Sequence, residues 1–333
     1  MTLYAFDAID DAIAATKAFL WPVDWRRWAK LAIVALFVGG AGGFNPFQFG
    51  GGGSPGSGGF NGAGPGGVDG LSSIGGTELA IIGLIVLVIA AIGLVFMLVG
   101  SIMEFVFIEA LRNEVVTIRR YWGGRWQQGL RLFGFRVVLG VVSLTIIGVL
   151  LVIALAPLIF DQGTFSIGLL ILAILVFVVI AIVGGVLNGF TTVFVVPIMI
   201  AENRALLSAW RRFWPTMTGQ WKQYAAYAVM GFILQLAAGI AAGLATLVLA
   251  IVVAIPLAIV GAVGAAILAV GIPVVGWVII GFAVLVFVLA LIALSLLVSV
   301  PVTVFLRYYA LFVLGDTNEA FDLIAERRAA VRE

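Results

Sequence analysis

The chain has no cysteine and no histidine in 333 residues, and only 10% of it is charged. Without cysteine there is no disulfide framework, no thiolate nucleophile and no sulfur metal site. Without histidine the commonest acid–base side chain and metal ligand is gone. A soluble domain carries about a quarter charged residues. The shortage of charge, with 63% hydrophobic residues and a mean hydropathy of +1.24, therefore places the chain in a membrane. Lysine is scarce too, with Lys17, Lys30 and Lys222 the only three among 18 basic residues, a bias that points to a GC-rich or halophilic source. Strict alternation is missing from runs such as Leu79 to Met103, which excludes a β-barrel and leaves helices. Asp7, Asp10 and Asp11 stand where a signal peptide would be positive, so none is expected. No pair of acids has catalytic spacing. The expectation is a protein that is not an enzyme and needs no cofactor or metal.

What the chain does have is four polar islands between long apolar runs. The most regular spans Glu202 to Trp221. At 3.6 residues per turn, Leu206, Leu207, Trp210, Phe213 and Trp214 share one arc, and Arg204, Ser208, Arg211 and Arg212 lie opposite. Such a helix lies flat in a membrane interface. Leu3 to Leu20 reads as a similar helix, with Phe6, Ile9, Ile13 and Leu20 on one side, followed by Trp21-Pro22, Trp25 and Trp28. In a third island Ile108, Leu111, Val115, Ile118 and Trp122 have the spacing of one face.

The islands repeat on consistent shifts. Ala12 to Pro22 falls on Ala205 to Pro215 at a shift of 193, and Arg112, Arg119, Arg120 and Trp122 fall on Arg204, Arg211, Arg212 and Trp214 at a shift of 92. The implied unit is an interfacial helix, an aromatic-basic elbow and a helical hairpin, used three times. The expected architecture is all-α and integral to the membrane, with six transmembrane helices as three hairpins. Residues 1–29 form an interfacial helix and elbow, 30–103 hairpin 1, 104–135 the second interfacial helix and elbow, and 136–201 hairpin 2. Residues 202–222 form the third interfacial helix and elbow, 223–306 hairpin 3, and 307–333 a cytoplasmic tail helix. The outer loop 44–76 of hairpin 1 is glycine-rich and reads as disordered. Its Gly62-Ala-Gly64-Pro-Gly-Gly67 matches G-x-G-x-x-G only literally, since no strand precedes it.

Every Lys and Arg lies in an island or at its flank: none occurs between Leu31 and Phe107, between Val137 and Asn203, or between Gln223 and Leu306. Positive charge stays inside. This predicts a cell-membrane protein with both termini cytoplasmic. The uncharged tract Tyr224 to Phe305 then holds two spans. Its surplus, where Pro256, Gly261, Gly264, Gly271 and Pro273 interrupt it, reads as a re-entrant or outer-leaflet insertion at about 251–275.

Proline near the end of a span (Pro197, Pro301), then a short Glu/Asn/Arg helix, then an aromatic-basic elbow resembles the membrane domain attached to some glycerophosphodiester phosphodiesterases. Trp21-Pro22, Glu104-Phe105-Val106-Phe107 and Gly129-Leu-Arg131-Leu-Phe133 also resemble uncharacterised multi-pass proteins of haloarchaeal type. The likeness implies architecture only. The phosphodiesterase's catalytic domain is absent from this chain, as are the histidines and acid cluster it would need.

Candidate site residues follow from the islands. Arg26, Arg27, Arg119, Arg120, Arg211 and Arg212, interleaved with Trp21, Trp122 and Trp214, are expected to contact anionic lipid headgroups rather than nucleic acid. Glu104 and Arg136, near the inner ends of the second and third spans, suit an intramembrane ion pair. Asn188 and Gln235 suit hydrogen bonds between helices, and Gly239-x-x-x-Gly243 suits close packing within the chain. Asp7, Asp10, Asp11 and Asp24 match no hard-cation loop and read as solvated. The expected partners are the bilayer and a membrane-protein partner or second copy of the chain. The functional expectation is a non-catalytic protein that organises lipid or a partner at the inner leaflet. The alternative is a transporter or permease component using the interrupted tract 251–275.

Overall fold

The computed structural model describes residues 4–41, 76–159 and 167–333, and among them there is no β-strand. Helix α1 (Tyr4–Leu20) is followed by α2 (Trp25–Ala35), which passes into a π-helical stretch at Leu36–Ala41. Asp24 caps α2 by accepting from Arg26 N at 2.9 Å, satisfying a backbone donor that the helix start leaves free. Then come α3 (Gly76–Arg112), α4 (Ile118–Ile159) and α5 (Ile167–Phe190). A π-helical turn, Thr191–Val195, joins α5 to α6 (Val196–Ala201). The order ends with α7 (Leu206–Gly219), α8 (Trp221–Ala269), α9 (Pro273–Thr317), a 3-10 turn at Glu319–Phe321 and α10 (Ala325–Arg332).

Five of the described helices are long and apolar enough to cross a membrane: Gly76–Arg112, Ile118–Ile153, Ile171–Ala201, Trp221–Ala269 and Pro273–Thr317. The sixth span, expected from about Lys30, has its described part in α2 and the π-helical stretch; the glycine-rich loop and the turn Asp161 to Thr164 fall outside the described residues.

Burial is concentrated at the arginine-bearing end of these helices. There the ends of α3, α5–α6 and α9 meet α1, α2 and α7 in one core with Phe105, Phe107, Phe194, Phe213, Tyr308 and Phe312 at its centre. Aromatic rings interlock, with Phe194 and Tyr224 at 5.2 Å and Tyr227 and Tyr309 at 5.3 Å between centroids. Beyond this base the spans are bare: no more than 11% of any spanning window is buried inside the protein. The base is therefore the most buried part, and the long helices leave it as largely exposed arms, with α8 and α9 paired as one hairpin.

Several sequence expectations are corrected. No insertion occurs at 251–275. Helix α8 runs unbroken through Pro256, and the chain reverses at Val270 to Ile272, where Gly271 takes φ +90°. The glycines of this tract serve close packing. A Cβ on Gly264 would stand 2.8 Å from Ile280 Cγ1 and 3.1 Å from the Gly276 carbonyl oxygen. At 49 residues α8 is ~73 Å long, too long to lie along the normal within a hydrocarbon core of ~30 Å. Of Gly239-x-x-x-Gly243, Gly243 does not make the expected internal contact, since a Cβ there would meet nothing within 4 Å.

The segment 104–135 has no interfacial helix of its own. Helix α3 carries straight on to Arg112, a short turn follows with Glu114 at φ +56°, and α4 begins at Ile118. The region 307–317 is not a surface tail. It is the end of α9, and Arg307 to Leu314 are all buried. Helix α5 changes pitch at the π-helical turn that follows it.

The apolar faces of α1 and α7 divide between the core and the outside. In α1 the buried stripe is Ala5, Ala8, Ala12 and Ala15 with Phe19, while Phe6 and Ile13 are exposed. Small residues let the backbone approach α9 closely, and the bulky ones face outward. In α7 Leu206, Ala209 and Phe213 enter the core, whereas Leu207 and Trp214 point out.

Candidate functional site

The base ends of four long helices bring polar side chains into one buried layer. From α3 come Ser101 and Glu104, three residues apart and on one face; α4 supplies Arg136, α5 Asn188, the π-helical turn Thr192, and α9 Arg307. The side chains of Glu104, Arg136 and Arg307 are only 1%, 5% and 7% exposed. Arg307 Nη2 donates a short hydrogen bond to Glu104 Oε2. Arg136 Nη2 stands 3.6 Å from Glu104 Oε1, an ion pair longer than a hydrogen bond. The other Arg136 donors reach neutral acceptors: Nε to Asn188 Oδ1 at 3.2 Å, Nη1 to Ser101 Oγ at 3.1 Å, and Nη2 to Thr192 Oγ1 at 3.0 Å.

The π-helical turn explains why Thr192 can serve both arginines. Widening the helix shifts the backbone register and frees acceptors from the usual ladder. The Thr192 carbonyl oxygen accepts from Arg307 Nη1 at 2.8 Å, while its hydroxyl faces Arg136. Beside it Thr191 Oγ1 accepts from Trp210 Nε1 at 3.1 Å, tying α7 to the same turn. The Arg307 guanidinium also lies 5.7 Å from the Phe107 ring centroid. A second polar layer sits one step inward. Arg125 pairs with Glu109, and Gln128 donates to the Met199 carbonyl and Asn203 Oδ1, both at 3.1 Å. Gly129 permits the approach, because a Cβ there would stand 2.9 Å from Ile102 Cα.

The structure places Glu104 near Arg136, the two residues considered for an ion pair, and puts Asn188, considered for an interhelical hydrogen bond, on Arg136 Nε; Arg307, Ser101 and Thr192 complete the layer. Arg307 read as the start of a polar tail. Its flanks, Phe305-Leu306 and Tyr308-Tyr309, are the signal for it in the sequence, since they leave a lone charge in an apolar helix. Gln235 lies half-buried on α8.

The expected headgroup residues divide. Arg26, Arg119, Arg120, Arg211 and Arg212 are exposed, as are Trp21 and Trp214. Arg120 lines a shallow groove of about 180 Å³ with Asn113, Val115, Thr117 and Tyr121. Trp122 is half-buried with its ring centroid 5.9 Å from that of Trp126. Arg212 lies 3.4 Å from Glu202. Arg27 turns inward instead: its guanidinium stacks 4.0 Å over Phe19 and donates to the Glu114 carbonyl at 3.0 Å.

At the far side of the base α10 is held mainly by arginines. Arg328 pairs with Asp316 at 2.8 Å and Asp322 at 3.3 Å, Arg332 with Asp11 at 2.7 Å and Asp316 at 2.8 Å, and Arg327 with Glu114. The hydrogen bond with Asp316 is the largest influence on Arg332 and raises its pKa; partial burial opposes it, and Asp11 adds to the rise. Asp11 and Asp24 therefore have structural partners, as a salt-bridge acceptor and a helix cap.

One protein-family model, described as a family of unknown function (DUF7544), matches residues 3–324. No curated protein and no solved structure matches the chain.

Proposed function

We propose that this chain, which belongs to the DUF7544 family of unknown function, is a non-catalytic multi-pass membrane protein that organises anionic lipid at the inner leaflet. One observation carries the reading. Burial is concentrated in the arginine-bearing base, whose rim exposes Arg26, Arg119, Arg120 and Arg211 with Trp21 and Trp214, while the arms bury little. A rigid base with mobile-headgroup ligands around it gathers lipid by charge, each surface cation near anionic lipid being worth about 1 kcal/mol. The test is extraction of the full chain with its surrounding bilayer into nanodiscs, followed by lipid quantification. Anionic lipid should be enriched over the bulk membrane, and the enrichment should fall when Arg119, Arg120, Arg211 and Arg212 are all changed to Gln. Equal composition in disc and bulk membrane contradicts the proposal.

A second reading, a transporter or permease component, loses the interrupted tract on which it first rested but gains another feature. Ionised and polar groups from four long helices meet at a π-helical turn, as substrate sites in transporters do. Solute uptake into proteoliposomes that disappears in an Arg307→Gln variant would favour it over the lipid reading.

A further inference from the structure

The buried layer contains two arginines and one carboxylate. Ser101, Asn188 and Thr192, which complete it, are neutral, so the layer carries a net charge of +1. The neighbouring carboxylates are engaged elsewhere: Glu109 with Arg125, Glu114 with Arg327, and Glu202 with Arg204 and Arg212. Arginine does not give up its proton in proteins. An uncompensated charge at this depth is unfavourable by several kcal/mol, and the two guanidiniums repel one another across Glu104. Within the layer the deficit falls on Arg136. Glu104 gives Oε2 to Arg307 and leaves Oε1 3.6 Å from Arg136 Nη2, and all other Arg136 acceptors are neutral.

Just outward of this layer Phe96 on α3, Val138 on α4 and Val186 on α5 are exposed. The charged layer therefore lies within about a turn and a half of helix from exposed side chains.

We propose that Arg136 and Arg307 form a binding site for one singly charged anionic group, taken up beside Glu104 as the second counter-charge of the arginine pair. Planar guanidiniums match the oxygens of phosphodiesters and carboxylates, which are bound in forked geometry. An anionic phospholipid headgroup and a free monovalent oxyanion share this chemistry. The site is separate from the exposed rim arginines, and its failure would leave the lipid reading above intact.

The test is thermal unfolding of the purified full chain in uncharged detergent at constant ionic strength. Three probes are titrated: acetate, short-chain phosphatidylglycerol, and phosphatidylcholine of the same chain length as control. Saturable stabilisation by acetate and phosphatidylglycerol identifies a free-anion site, and stabilisation by phosphatidylglycerol alone a lipid headgroup site. Arg136→Gln brings the layer to zero net charge and should abolish the effect; Arg307→Gln does the same should Arg136→Gln fail to fold. Glu104→Gln raises the layer to +2 and should bind the same probe about tenfold more tightly. The proposal is overturned if no anion exceeds the phosphatidylcholine control in both the wild type and Glu104→Gln. It is equally overturned if the stabilisation persists unchanged in both arginine variants.

Discussion

Replacing Glu104 by Gln is the most informative single perturbation of the base. The amide has nearly the same shape, so packing around Phe105 and Phe107 stays intact and the change is electrostatic. In the native layer Glu104 faces two guanidiniums at once, one by a short hydrogen bond and one at 3.6 Å. Removing the carboxylate leaves both arginines buried without a charged partner. Breaking a buried pair in this way typically costs about 3–5 kcal/mol. Arg307→Gln alone should cost about 2–4 kcal/mol, because Glu104 keeps Arg136 as a partner. The pairwise terms should differ. Glu104 and Arg307 should couple by about 1–3 kcal/mol, and Glu104 and Arg136, which lack a direct hydrogen bond, by less. The assay is a pair of double-mutant cycles read from reversible unfolding in detergent, with helicity checked by circular dichroism at low anion concentration. Additivity within about 0.5 kcal/mol in the Glu104–Arg307 cycle would refute the reasoning, and so would a larger coupling to Arg136 than to Arg307.

Gly315→Ala should place a Cβ 1.8 Å from Arg328 Nη2 and push that guanidinium off Asp316. Because a flexible side chain can move aside, global stability should change by less than about 1 kcal/mol, while trypsin should cut at Arg327 and Arg328 faster than in the wild type. Gly264→Leu should force α8 from α9 and destabilise by about 1–3 kcal/mol, whereas Gly243→Leu, facing open space, should be near neutral; unfolding curves of equal midpoint would contradict this. Replacing residues 50–67 by a short Gly/Ser linker should leave membrane yield and the unfolding midpoint unchanged, and a loss of either would show that this loop contributes to the fold.

The spans were legible because composition alone decides them. Runs without a charge, such as Gln223 to Leu306, have few alternatives to crossing a bilayer. Glu104 and Arg136 were legible because each is a lone charge beside an apolar run. Arg307 was not, since it follows the longest apolar run and so resembles the boundary of a tail. Helix continuity was hidden for a related reason. Pro256 removes one backbone donor and Gly264 removes a side chain, yet in a helix paired along its length neither breaks the ladder. The alanine stripe of α1 was not legible because its small side chains give no amphipathic signal of their own. Here Ala8, Ala12 and Ala15 pack inward and Phe6 and Ile13 point out. The island at Glu104 to Trp126 read as one helix because both its halves carry helical spacing. The turn between them depends on Glu114 at positive φ, which its residue type does not announce.

The account rests on the arginine-bearing base lying at the cytoplasmic face, and sided cysteine labelling tests this most directly. With no native cysteine in the chain, Ser57→Cys and Glu326→Cys each provide a unique thiol for a membrane-impermeant maleimide. On intact cells Ser57→Cys should be labelled, and Glu326→Cys should react only after the membrane is opened. Labelling of Glu326→Cys on intact cells, with Ser57→Cys protected, would place the base outside and contradict the account.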